Sequence, residues 1–164
     1  MSEKEQKAFK TVKTYMWWSM GAGLIPVPFV DWAVVSGVQL KMLADLSKIY
    51  GVPFQENRGK AVISSLAGFI LPHATACGLI GSWLKAIPVI GALAGAPAMV
   101  VFCGAYAWAL GNVFIQHFES GGTFLNLNPE GVREYFKAEF EEGGKMAMTM
   151  GTPEKAEEKA EVRV

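Results

Sequence analysis

The sequence is poor in charge. Asp, Glu, Lys and Arg make up 18% of its 164 residues, against about 25% in soluble domains. The deficit is local: no charged residue occurs from Ala61 to Leu84 or from Ala86 to Phe118, and Lys85 alone interrupts the block. No concentrated basic face is present, which argues against a nucleic-acid partner. The chain has no Gly-Lys-Ser or Gly-Lys-Thr to meet a phosphate. Gly21-Ala22-Gly23 is half a dinucleotide fingerprint and runs into Pro26 instead of a helix. Cysteines and histidines number two each. Cys77 and Cys103 lie in the apolar block and read as small packed hydrophobes, not as a disulfide. His73 and Cys77 are i, i+4, a spacing that metals use. Cys103 and His117 are about four turns apart, so the set does not converge. Ser64 and Ser65 have no nearby base. The expectation is a protein with no catalytic, cofactor-binding or metal-binding residues.

What is present is helical. The expected fold is all-α, built from helical hairpins, with one domain over 1–148 and a disordered or weakly helical tail over 149–164. Ser2 and Glu5 form a capping box for a first helix. Ala8, Val12, Tyr15 and Met16 recur at helical spacing, and Lys4, Lys7, Lys10 and Lys13 make a second row at i, i+3. Such a helix fits either an anionic membrane surface or the outside of its own domain. Trp17 and Trp18 follow, the residue type enriched at the headgroup level. Gly21 to Phe29 is an apolar turn in which Pro26 and Pro28 stop the helix. An apolar turn needs cover from protein or lipid. Asp31 offers an N-cap for a helix ending at Tyr50, with Val35, Val38, Met42, Leu46 and Ile49 on one side and Lys41, Asp45 and Lys48 on the other. Gly51 suits the C′ position and Pro53 blocks continuation. Residues 1–50 therefore read as an N-terminal helical hairpin.

Residues 54–120 read as a second, Gly/Ala-rich apolar hairpin. Gln55 to Lys60 is its polar entry, and the uncharged core spans about 61–118. A bilayer core needs about 20 mainly apolar residues per helix. The block thus accommodates two membrane-spanning helices, one from Ala61 to Trp83 and one beginning between Pro88 and Ala98. Two ridges of small residues, Ala74-Gly78-Ser82 and Gly104-Ala107-Gly111, together with the Gly91/Gly95 pair, suit close helix–helix contact. Charge asymmetry keeps both termini cytoplasmic if the hairpin inserts, as in a bacterial inner-membrane protein. The polar, lysine-rich start and the missing small-residue cleavage site agree with that placement. Asn128-Pro129 then opens an amphipathic helix over 128–142, with Val132, Tyr135, Phe136 and Phe140 as its stripe and Gly143-Gly144 as its stop.

The run Ile25-Pro26-Val27-Pro28-Phe29-Val30-Asp31, then Gln39, Met42 and Tyr50-Gly51-Val52-Pro53, resembles the bacterial domain of unknown function 697 family. The resemblance covers about residues 20–55 and extends to the apolar hairpin. Pro26, Pro28, Phe29, Asp31 and Gln39 carry it. Members of that family are often fused to, or encoded near, small Era-like or dynamin-like GTPase domains, and several are inner-membrane proteins. The resemblance implies a separate GTPase as partner. The leading expectation is a non-enzymatic, membrane-associated helical protein with the lipid bilayer, further copies of itself and a GTPase as partners. The alternatives are a soluble or peripheral all-α oligomeric module and a pore-forming or membrane-remodelling assembly.

Overall fold

The structure, a computed structural model, describes residues 1–22, 30–76 and 95–150. These form five helices: α1 (Glu3–Ala22), α2 (Val30–Tyr50), α3 (Glu56–Ala76), α4 (Gly95–Glu119) and α5 (Arg133–Met150). No strand occurs among the described residues.

Local chemistry sets most helix ends. The Ser2 N–H donates to Glu5 Oε2 and the Glu5 N–H to Ser2 Oγ, both at 3.1 Å. That reciprocal pair satisfies two orphan donors at the start of α1. α2 and α4 both end on a glycine with positive φ, Gly51 (71°) and Gly121 (80°). At each, the next residue's N–H reaches back to a carbonyl of the last turn: Val52 to Ser47 at 2.9 Å and Gly122 to His117 at 2.9 Å. This is the Schellman closure, and only glycine enters it without a Cβ clash. Pro97 lies in the first turn of α4, where no helical N–H is lost.

α4 is the axis of the protein. Every residue from Val101 to Ile115 is buried. A helix that is apolar all round must be covered on all sides. Its broadest contacts are with α5 and α1, and α2 packs on it as well. α4 and α5 run antiparallel: Phe102 meets Phe140 at 5.3 Å and Tyr106 meets Phe136 at 5.5 Å between ring centroids. α1 also runs antiparallel to α4, with Met20 over Gly104 and Val12 over Gly111. α3 is tied in by the Tyr106 hydroxyl, which donates to the Ile63 carbonyl at 2.6 Å, and by Arg133, whose guanidinium lies 5.2 Å from the Phe69 ring centre. One end of the bundle is closed by a cluster of rings. Phe114, Phe118 and Phe124 stand within 5.2–5.5 Å of one another, and Phe124 also meets Phe54 at 5.5 Å.

Several boundaries differ from those read in the sequence. In the sequence Gln55–Lys60 reads as a polar entry to the apolar hairpin, yet α3 begins at Glu56, and its first turn carries an i, i+4 ion pair from Lys60 to Glu56 at 2.6 Å. The last helix, predicted over 128–142, runs from Arg133 to Met150. Asn128 Oδ1 accepts from the Glu130 N–H at 3.1 Å, so it closes a turn before the helix. Gly143 and Gly144 do not stop α5; both are buried within it. A Cβ at Gly143 would come 2.8 Å from Trp108 Cβ and 3.0 Å from Ala105 Cα. The glycine therefore permits a close helix crossing, and that contact outweighs its poor helix propensity, about 1 kcal/mol relative to Ala.

The membrane-spanning hairpin expected over 61–118 lies partly outside the described residues, at 77–94. α4 pairs mainly with α1 and α5, not with α3. No helix among the described residues is long and apolar enough to cross a membrane. The small residues that bring α4 close to its neighbours also dilute its hydrophobicity.

The glycines give a direct test. A Cβ at Gly111 would approach Val12 Cγ2 to 2.5 Å, whereas one at Gly68 meets nothing within 4 Å. Val is stiff at χ1, so the crowding at Gly111 is not relieved by rotation. Gly111→Ala is expected to lower stability by about 1–3 kcal/mol. Gly68→Ala, in the same helical context without the clash, is expected to raise it by roughly 0.5–1 kcal/mol. Urea midpoints of the two variants check the pair.

Candidate functional site

Two surfaces of α1 behave differently. Ala8, Val12, Tyr15, Met16, Ser19 and Met20 point into the bundle and are buried. Lys4, Lys7, Lys10, Lys13, Trp17 and Trp18 are exposed. The ion pairs among the described residues join Lys41 and Lys48 to Asp45, Lys60 to Glu56 and Lys145 to Glu142; none takes a lysine of α1. Trp17 is 42% and Trp18 61% exposed, adjacent members of a short set of exposed large apolar side chains. Trp18 stands 6.2 Å from the Tyr15 ring.

The inward side of α1 makes two polar ties to α2. Gln39 Nε2 donates to Ser19 Oγ at 3.1 Å, with both residues wholly buried. Gln39 Oε1 has no partner. The Tyr15 hydroxyl donates to Asp45 Oδ2 at 2.5 Å. That hydrogen bond, followed by Lys48 and Lys41, holds the Asp45 carboxyl below the usual aspartate range against the opposing effect of burial. Burial is the main cause that raises the Tyr15 hydroxyl above its ordinary value, with Asp45 adding to it.

A third polar group lies between α4 and α5. Glu139 Oε2 accepts from Trp108 Nε1 at 3.0 Å and from Asn112 Nδ2 at 2.6 Å. Burial, with the Glu139 carboxylate as a lesser cause, pushes the Tyr135 hydroxyl up to about 12. Asn112 Oδ1 is buried without a partner. Trp108, Asn112 and Glu139 are not singled out in the sequence, and Tyr135 enters there only as part of the apolar stripe of the last helix. The available signal was a lone Asn112 within an uncharged run, since a buried amide needs partners.

The remaining candidates divide between described and undescribed segments. Pro26, Pro28 and Phe29 lie outside the described residues, as do Gly78, Ser82, Gly91 and Cys77. Asp31 and Ala74 lie within α2 and α3, and Gly95 is the first residue of α4. α2 starts at Val30, one residue ahead of the Asp31 start read from sequence. Gly104, Ala107 and Gly111 are buried. Added Cβ atoms at Gly104 and Gly111 would strike Met20 and Val12 of α1. That ridge is engaged within the chain. His117 Nε2–H donates to the Thr123 carbonyl at 2.9 Å and to Asn126 Oδ1 at 3.0 Å, pinning the connection after α4. Cys103 is buried. No three His, Cys, Asp or Glu side chains among the described residues are placed to hold a metal ion.

Residues 1–143 match the family described as a domain of unknown function (DUF697). The chain belongs to that family. A relative named "Magnetosome membrane protein 22", from Magnetospirillum gryphiswaldense, is 38% identical over 136 residues, covering 83% of this chain and 70% of that protein. No solved structure matches. Of the DUF697 marks in this chain, Gln39 serves the α1–α2 contact and Tyr50-Gly51-Val52 forms the closure of α2.

Two stability experiments follow from the polar ties. Ser19→Ala strands the Gln39 amide and is expected to cost about 1–3 kcal/mol. Adding Gln39→Met removes both partners and the orphan Oε1, so the double variant is expected to recover most of that loss; equal urea midpoints for single and double variants would contradict it. Asp45 has a lowered folded pKa, so its contribution is present in full above the ordinary aspartate pKa. It is lost as pH falls through the folded value. Tyr15→Phe removes the first cause of the shift and is expected to flatten the acid limb of stability against pH, measured by urea unfolding across that limb.

Proposed function

We propose that this DUF697 chain is a non-enzymatic, membrane-associated helical protein that acts as an anchor or partner for a separate GTPase. The observation that carries the membrane reading is its similarity, over most of its length, to a protein named for the magnetosome membrane. The GTPase follows from what the resemblance around Pro26 to Asp31 implies. The non-enzymatic reading is supported by the described polar side chains: Gln39, Asp45, Asn112 and Glu139 each make a hydrogen bond to a neighbouring helix.

Membrane attachment has two forms. In one, the block over 61–118 inserts as a hairpin with both termini cytoplasmic, at the inner membrane of a bacterium. In the other, the chain is peripheral. The burial of α4 under α1, α2 and α5 favours the peripheral form, because insertion would require those helices to leave it. Self-association belongs to the proposal as well. Since Gly104 and Gly111 already face α1, a homo-oligomer would use other surfaces.

Fractionation of cells producing the full chain tests this. Sedimentation with membranes at low salt is expected. Release by high salt would identify the peripheral form, and retention after carbonate washing the inserted one. Complete recovery in the low-salt supernatant would overturn membrane association. Co-purification of a GTPase with the washed membranes, abolished on deletion of this chain, is expected for the anchoring role.

A further inference from the structure

We infer that the outward face of α1 docks on an anionic bilayer surface, with Lys7, Lys10 and Lys13 over the headgroups and Trp17 and Trp18 entering the interfacial layer. The inference rests on the membrane-associated reading and names the surface that performs it.

The face is built by helical geometry. At 100° per residue, Lys7, Lys10, Lys13, Trp17 and Trp18 fall within one arc, and the buried set from Ala8 to Met20 occupies the opposite one. α1 cannot roll to cover its tryptophans. Rotation would withdraw Val12 and Met20 from Gly111 and Gly104 and break the Tyr15–Asp45 and Ser19–Gln39 ties. The exposed face is therefore held rigid by its own buried side.

Charge and chemistry on that face fit lipid. The acidic residues of α1, Glu3 and Glu5, are confined to its first turn, and Glu5 is engaged in the capping box. From Gln6 to Ala22 the helix carries only positive charge. Lysine is a flexible cation that meets diffuse anionic charge with its stem lying along apolar surface. Tryptophan places a broad ring in the interface with its N–H still wet. The two types are segregated: lysines occupy the middle of α1 and tryptophans its C-terminal end. Trp17 lies about 10 Å along the axis from Lys10, so the C-terminal end of α1 would sit deeper. That end also carries Met20, which meets Gly104 of α4.

Co-sedimentation of the full chain with unilamellar vesicles tests the assignment. One set is phosphatidylcholine alone and the other phosphatidylcholine mixed with phosphatidylglycerol. Wild type is expected to bind the anionic set and to be released by salt. At roughly fivefold per lysine, Lys7→Gln/Lys10→Gln/Lys13→Gln is expected to lose on the order of 100-fold in partitioning. These side chains are exposed, so unfolding midpoints should be unchanged. Trp17→Phe/Trp18→Phe should lose most of the fluorescence quenching given by brominated lipids. Wild-type binding that the triple variant matches would overturn the α1 assignment and leave membrane association standing. Failure of wild type to bind either vesicle would remove both. If the triple variant instead changes the solution mass by light scattering and not vesicle binding, the face is an interface between copies, and the lipid assignment falls.

Discussion

α4 has almost no polar side to offer water, and the other helices are arranged by that fact. From Val101 to Ile115 it is enclosed on every side. Each large apolar side chain fully removed from water contributes about 1.5–3 kcal/mol, so the first requirement on this chain is cover for α4. Among the described residues α5 and α1 supply most of it and α2 packs on it as well, while Tyr106 ties α3 to it. The close approach comes from missing side-chain volume. Gly104 and Gly111 admit α1, and Gly143 admits α4 to α5. Backbone proximity of this kind raises packing density without adding bulk, which suits a helix whose Trp108, Phe102 and Phe114 already fill the space around it.

Apolar contact is non-directional, so burial alone would let these helices slide by a turn. The polar ties remove that freedom. Ser19 with Gln39 and Tyr15 with Asp45 fix α1 on α2. Trp108 and Asn112 with Glu139 fix α4 on α5. A hydrogen bond between buried groups costs its full desolvation if the register slips. The ties contribute little net energy in the native register and penalise the others heavily. The surface ion pairs at Asp45, Glu56 and Glu142 have no comparable part, since exposed pairs are worth at most about 1 kcal/mol.

The features legible in the sequence are those decided locally. The Ser2/Glu5 box, the amphipathic α1 and α2 and the Gly51 closure each depend on residues within one turn of one another, and they were readable as such. The apolar block was harder. A helix that is apolar all round satisfies lipid and a protein core equally well, and periodicity carries no record of which will surround it. Gly143-Gly144 read as a stop because glycine usually is one, and only the facing Ala105 and Trp108 reverse that meaning. Glu139 could not be distinguished from its neighbours on α5, because its partners lie 27 and 31 residues away on another helix. The lysine row and Trp17-Trp18 were visible as residue types. Their exposure follows only from knowing which side of α1 the bundle consumes.

The pairing of α1 with α4 also sets an order of events at the ribosome. Val12 is made about a hundred residues before Gly111, and synthesis at about 5–20 residues per second separates them by roughly 5–20 s. α2 reaches α1 much sooner and covers only part of its apolar side. For that interval the flank of α1 destined for α4 stays open to whatever apolar surface is nearby. α1 thus waits for α4 before its burial is complete, and a chaperone or a bilayer has time to reach it before that part of its core does.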